Sequence, residues 1–141
     1  MTGAKKRIDL RRHHRFQVQY GAIAVLYHRS KVKLGLISDI SKGGLAFSYI
    51  DHNSGRKLAP TESSQLKITW KERGFCLDNV SCKVVMDQDQ QPEDSFSRLP
   101  MKKCRVAFAG LTVNQLLQLD SLLNSFVAGS IWETGMDFAQ E

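Results

Sequence analysis

From Phe16 onward, apolar and polar positions alternate with the period of two that a half-buried strand requires: Phe16, Val18 and Tyr20 against Gln17 and Gln19. After Gly21, Ala22 to Tyr27 continues as an extended apolar run, and the polar stretch His28-Arg29-Ser30-Lys31 reads as a turn. Val32 to Ser38 predicts a second strand with Val32, Leu34 and Leu36 on one face. Asp39 to Gly44 reads as a tight connection, its paired glycines permitting positive φ and its Asp and Ser favouring local turns. Leu45, Phe47 and Tyr49 mark a third strand, Leu45 to Ile50. The polar stretch Asp51 to Ser64, with Gly55 and Pro60, predicts a loop. Leu66, Ile68 and Trp70 mark a fourth strand, and Lys71-Glu72-Arg73-Gly74 a hairpin turn. Phe75 to Met86 predicts one long or two short strands, bent near Asp78-Asn79. Asp87 to Pro100 is Gln-rich and acidic and predicts a mobile loop; Met101 to Ala109 is the last strand.

The period then changes. Val113, Leu116, Leu117, Leu119, Leu122, Leu123, Phe126 and Val127 recur at helical spacing. Thr112 and Gln115 have the spacing of a capping box, and Gly129 is the expected C-terminal stop. The stripe must pack on an end or face of the sheet. About six short antiparallel strands and one late helix predict a mainly β fold, a small six-stranded antiparallel barrel with a C-terminal α-helix. The expected organisation is a flexible basic N-terminal arm (1–15), the barrel with its closing helix (16–128) and a C-terminal tail (129–141).

Composition narrows the class. A chain of 141 residues, 42% hydrophobic and 24% charged, suits one folded domain. The longest apolar run is strand-sized, far short of the ~20 residues of a membrane span. No apolar h-region follows the basic N-terminus, so the expected location is the cytoplasm, without membrane insertion. Cys76, Cys82 and Cys104 match no common zinc spacing; Cys76 and Cys82, six apart, would share a face of a regular strand. The net charge of +6 is uneven: residues 1–15 carry Lys5, Lys6, Arg7, Arg11, Arg12 and Arg15 against Asp9 alone, leaving the body at +1. Such an arm is either a solvated terminus or a convergent anion site. A generic nucleic-acid face would spread its charge over the body as well, so nucleic acid is not an expected partner.

Two short elements carry the chemistry. Leu10-Arg11-Arg12-His13-His14-Arg15 contains Arg-x-x-x-Arg, and Asp39-Ile40-Ser41-Lys42-Gly43-Gly44 contains Asp-x-Ser-x-x-Gly. Together, in this order and beside strands, they resemble the signature of PilZ domains, which bind the bacterial second messenger cyclic di-GMP. Val106 to Leu111 followed by a helix is similar to that family's closing strand and helix. The resemblance runs over roughly residues 10–127, with only the two motifs specific. It implies a PilZ-like barrel that acts as a receptor, with cyclic di-GMP as ligand, no cofactor, and an unidentified effector protein in motility, exopolysaccharide or biofilm control.

The residue chemistry agrees. Guanine O6 and N7, like phosphate oxygens, accept a guanidinium fork, so Arg11 and Arg15 are the candidates for guanine and phosphate contacts. Asp39 can accept from guanine N1–H and N2–H₂. Ser41 can donate to a phosphate or buttress Asp39, while Gly44, with Gly43, lets the backbone approach the ligand. A plain β-turn cap is the alternative for Asp39 and Ser41. Arg7 and Arg12 are auxiliary candidates at a phosphate. Leu10, before the first motif arginine, is compatible in the family with one ligand molecule rather than a stacked pair. His13 and His14 lack the spacing of a metal site and read as polar linkers. Arg105 departs from the family, many members having glycine three residues before the closing-strand Phe, here Phe108.

No nucleophile–base pair or phosphate-loop lysine motif is visible, so a receptor is expected, not an enzyme. In this expectation ligand binding folds the arm over the barrel rim and changes the surface offered to a partner. Two other readings are a protein-interaction barrel without nucleotide, and a small RNA- or ssDNA-binding barrel. The second would need Phe16, Tyr20, Phe47, Tyr49 and Trp70 as an exposed stacking platform, whereas their alternation reads more simply as core.

Overall fold

The computed structural model of the chain describes residues 13–18, 21–29, 31–51, 63–90 and 100–139, with 127–139 as backbone alone. Its strands are β1 (Phe16–Gln17), β2 (Ala22–His28), β3 (Lys31–Ile40), β4 (Gly44–Ile50), β5 (Ser63–Trp70), β6 (Phe75–Asp89) and β7 (Met101–Phe108). A single 3₁₀ turn, Lys71–Arg73, joins β5 to β6, and one helix, α1 (Val113–Ala139), follows β7. All pairings are antiparallel, in the order β3-β2-β5-β6-β7-β4, and β4 pairs back to β3. That closure makes the expected six-stranded barrel and leaves no continuous free edge. β1 adds to the end of β3 through Phe16 opposite Ile40 and Gln17 opposite Asp39.

Inward positions of the strands meet in one core. Leu26, Ile40, Leu45, Phe47, Leu66, Ile68, Leu77, Val80, Val84 and Val106 are almost wholly removed from water. Phe47, Tyr49 and Trp70 belong to this core, which disposes of them as a stacking platform; Tyr20 lies outside the described residues. Two backbones come unusually close at β3 and β4. A Cβ on Gly35 would stand 1.8 Å from the Ser48 carbonyl oxygen, so only glycine permits that approach.

Bulges change the phase of the alternation. On β6 the register shifts against β5 between Leu66 and Ile68, opposite Asp78-Asn79, and Asn79 takes φ 52°. The strand nevertheless runs unbroken, with the expected bend realised as this bulge. The shift separates Cys76 from Cys82: the first is exposed and the second buried, contrary to the shared face that even spacing implies. β6 also extends to Asp89, so the expected loop from Asp87 begins inside a strand. Residues 91–99, the rest of that loop, and 52–62 lie outside the described residues.

β3 carries the largest inversion. Val32, Leu34 and Leu36 do share a face, and it is the outer one; Lys33, Gly35 and Ile37 point the other way. Lys33 closes the end of the barrel farthest from the β3–β4 turn. Its ammonium lies 3.8 Å from Asp51 and 5.2 Å above the Tyr49 ring, and Lys102 lies 3.4 Å from Asp51. Tyr49 Oη donates to Asp87 Oδ1 at 2.7 Å; burial, then that bond, push the phenol far above its ordinary pKa.

α1 covers the opposite end. Its start is the expected capping box: the Thr112 N–H donates to Gln115 Oε1 (3.0 Å) and the Gln115 N–H to Thr112 Oγ1 (3.1 Å). Gln115 Nε2 also donates to the Asp78 carbonyl at 2.8 Å, pinning the helix to the β6 bulge. Leu119, Leu122 and Leu123 enter the core, and Phe126 packs on Trp70 and Phe16. Three other residues of the expected stripe, Val113, Leu116 and Leu117, are exposed, and the Val127 side chain lies outside those described. Gly129 does not end the helix, which continues to Ala139 through the segment expected to be a tail.

Two outcomes follow from this packing. Gly35→Ala forces β3 from β4 and should cost about 1–3 kcal/mol of stability, read from the urea midpoint. Burial pushes the Cys82 thiol up to about 12 and the Cys104 thiol higher still, so both stay protonated near neutral pH. Alkylation of the native protein at pH 8 should therefore modify Cys76 alone, with the other two reacting only after denaturation; mass spectrometry counts the adducts.

Candidate functional site

Asp39 was expected in the turn and stands instead in β3, one residue from its end. A register shift between Ile37 and Asp39 lets Ile37 and Ile40 both face inward. Asp39 is thereby turned outward, opposite Gln17 of β1 on one side and Ala46 of β4 on the other. Beyond Ala46 in the same row stands Arg105 of β7. Its guanidinium reaches over the alanine and forks the carboxylate, Nη1 to Oδ1 at 3.0 Å and Nη2 to Oδ2 at 2.9 Å. Asp39 is 6% exposed, and a carboxylate so far from water needs such a partner. The departure from the family pattern noted at Arg105 thus sits in direct contact with a motif residue.

The turn that follows is held by Ser41. Its N–H donates to the Gly44 carbonyl at 2.8 Å, its Oγ accepts from the Gly43 N–H at 3.1 Å and donates to the Gly44 carbonyl at 3.3 Å. Among the described residues these bonds cap the turn and none reaches Asp39. Neither Gly43 nor Gly44 adopts positive φ, contrary to expectation. Gly44 serves close approach instead: a Cβ there would meet the Val106 carbonyl oxygen at 2.0 Å, where β4 runs beside β7. The Phe108 N–H donates to the Gly43 carbonyl at 2.8 Å and seals that seam.

The described part of the arm runs past this turn. β1 and the bond from the Val18 N–H to the Ser38 carbonyl (2.9 Å) fix a register which, continued by one residue pair, sets half-buried Arg15 beside Ser41. The His13 ring lies against Gly43, where a Cβ would stand 2.8 Å from its Cδ2. His14 meets Phe16 edge-on at 4.7 Å, and Phe16 stacks on Phe126 at 5.5 Å. The end of the first motif and the whole of the second therefore share one rim. Arg11, with Arg7, Leu10 and Arg12, lies outside the described residues. Lys42, at the tip of the turn, reaches Asp120 of α1 at 3.1 Å. No sequence signal pointed to that link, because it joins a turn to a helix 78 residues away.

Among the described residues no cluster of His, Cys, Asp and Glu could hold a metal ion, and no helix is long and apolar enough to cross a membrane.

Comparison with known proteins adds the ancestry. No curated protein matches the chain. Among solved structures, the PilZ domain of YcgR from Escherichia coli with c-di-GMP superposes with a TM-score of 0.69 at 11% identity, covering 90% of this chain and 98% of that one. The K. pneumonia MrkH–c-di-GMP complex gives 0.71 at 15% identity over 89% of this chain. The Bacillus subtilis inhibitor of motility MotI/DgrA gives 0.61 at 15% identity over 86% of this chain. This chain spans 56% of MrkH and 53% of MotI. The family model described as PilZ domain matches residues 9–125, most of the sequence and both motifs. The chain belongs to the PilZ domain family.

Proposed function

We propose that this chain is a receptor for cyclic di-GMP, and that it passes the signal to a partner protein rather than catalysing a reaction. The observation that carries the reading is the pairing of β1, which directly follows Arg15, with Asp39 and Ile40 at one rim of a PilZ domain. Structural neighbours described with c-di-GMP support the ligand class. In this reading Arg11 and Arg15 fork guanine and phosphate acceptors, with Arg7 and Arg12 assisting at a phosphate. Asp39 keeps lone pairs beyond the two that Arg105 takes, and these accept from the guanine N1–H and N2–H₂ edge. Arg105 holds the carboxylate aimed. Gly43 and Gly44 keep the rim low enough for the ligand ring, and Ser41 turns its hydroxyl from the Gly44 carbonyl to a phosphate.

The signal passes through what the rim already touches. Ordering of the arm by ligand bears on Phe16, and through it on Phe126 of α1; the turn bears on α1 through Lys42 and Asp120. The output is a changed surface for a protein partner, with motility, exopolysaccharide or biofilm machinery the class that the family suggests.

One observation favours the alternative of a barrel that binds partners without nucleotide: the Asp39 carboxylate already has a full partner in Arg105. Titration calorimetry with cyclic di-GMP, with GTP and cyclic di-AMP as controls, separates the two. Selective saturable binding is expected, weakened at least tenfold by Arg11→Ala, Arg15→Ala and Asp39→Ala. No binding up to ~100 μM, only about 5.5 kcal/mol of affinity, would overturn the receptor.

The role of Arg105 has its own outcome. If it positions Asp39, Arg105→Ala weakens binding by about tenfold, and adding it to Asp39→Ala costs little more, since the two act on one contact. An Arg105→Ala protein that binds more tightly than wild type would show a plug instead.

A further inference from the structure

We propose that the outer face of β2 and β3 docks an amphipathic helix of a partner protein, whose apolar stripe is bordered by carboxylates. Three cross-strand pairs build the face: Ile23 with Leu36, Val25 with Leu34, Tyr27 with Val32. Val32, Leu34 and Leu36 are 57%, 61% and 58% exposed, although they are three of the five large apolar residues of their strand. The inversion is costly in both directions, since it puts Lys33 inside and leucine outside. Natural sequences keep such a conflict between local pattern and fold chiefly where function requires it.

The geometry and charge specify the occupant. The three pairs follow one another at roughly 6.7 Å along the strands, close to the ~5.4 Å spacing of successive helical turns, so one helix can seat an anchor on each. Continuing the same rows outward, Lys67 of β5 lies beside Val25, and Lys103 of β7 lies beyond Ser48, which neighbours Leu36. Among the described positions of these rows the one carboxylate is Asp78, in the β6 bulge on the far side of Lys67 from the face; Lys103 is followed by Gln88. A partner with acids beside its apolar stripe is matched; a second copy laid face to face would set lysine against lysine. The face is also continuous with the nucleotide rim, for Leu36 and Asp39 are both outward residues of β3, on either side of its bulge. Coupling of the two sites rests on the receptor reading; the docking face itself does not.

The test uses two synthetic helical peptides of about 18 residues with the same leucine stripe, one flanked by Glu and the other by Lys, read by fluorescence anisotropy. The Glu-flanked peptide should bind the wild-type chain at least tenfold more tightly than the Lys-flanked one. Leu34→Gln with Leu36→Gln should weaken it at least tenfold without lowering the melting temperature, because both side chains are already in water. Lys67→Glu with Lys103→Glu should reverse the preference. Equal binding of the two peptides, or binding indifferent to the glutamine changes, would overturn the proposal. It would be overturned in favour of a lipid surface if the wild type, but not the glutamine variant, sediments with phosphatidylglycerol vesicles. It would be overturned in favour of self-association if sedimentation velocity shows a dimer that the glutamine variant loses. Cyclic di-GMP titration of the same variant should match wild type, which keeps this outcome separate from that of the receptor reading.

Discussion

A carboxylate removed from water must be paired, and at Asp39 that requirement ties three strands into one rim. The fork from Arg105 crosses β4 over Ala46, so the pair needs a small residue in the middle of the row and a bulge to turn Asp39 outward. Around it, β1 lies against β3, the turn at Ser41 seats His13, and β4 presses on β7 at Gly44. Removing the arginine would leave a desolvated acid; removing the acid would leave a guanidinium without its carboxylate partner. The Asp39–Arg105 pair is therefore part of barrel closure in its own right.

Much of this was legible in the sequence, for local reasons. Strands of period two and a helix of period 3.6 are written in the residues that form them, and the capping box at Thr112 and Gln115 satisfies its own donors without help from elsewhere. The turn at Ser41 closes on itself in the same way. What escaped was the phase. Register shifts opposite Asp78-Asn79 and beside Ser38 decide which way every later side chain points, and nothing in the alternation before them announces the change. Hence Cys76 parted from Cys82, and Asp39 passed for a turn residue.

Arg105 shows the other limit. The sequence marked it as unusual for the family, but its role depends on three strands standing in one register, separated by 66 residues of chain. Gly129 failed for a related reason. A glycine ends a helix when the backbone beyond it turns, and here the chain keeps helical geometry to Ala139. The two motifs were legible because family resemblance supplied the long-range pairing that spacing alone does not contain.

The length of α1 has a mechanical side. Twenty-seven residues make a rod of roughly 40 Å, held on the barrel among the described side chains at Gln115, Asp120 and Phe126. A rod that tilts about such holds is a lever. A tilt of about 6° pivoting near Phe126 would carry its last turn through roughly 2 Å, a shift large enough to make or break a packed contact. A small displacement at the pivot is thus enlarged along the length of the helix.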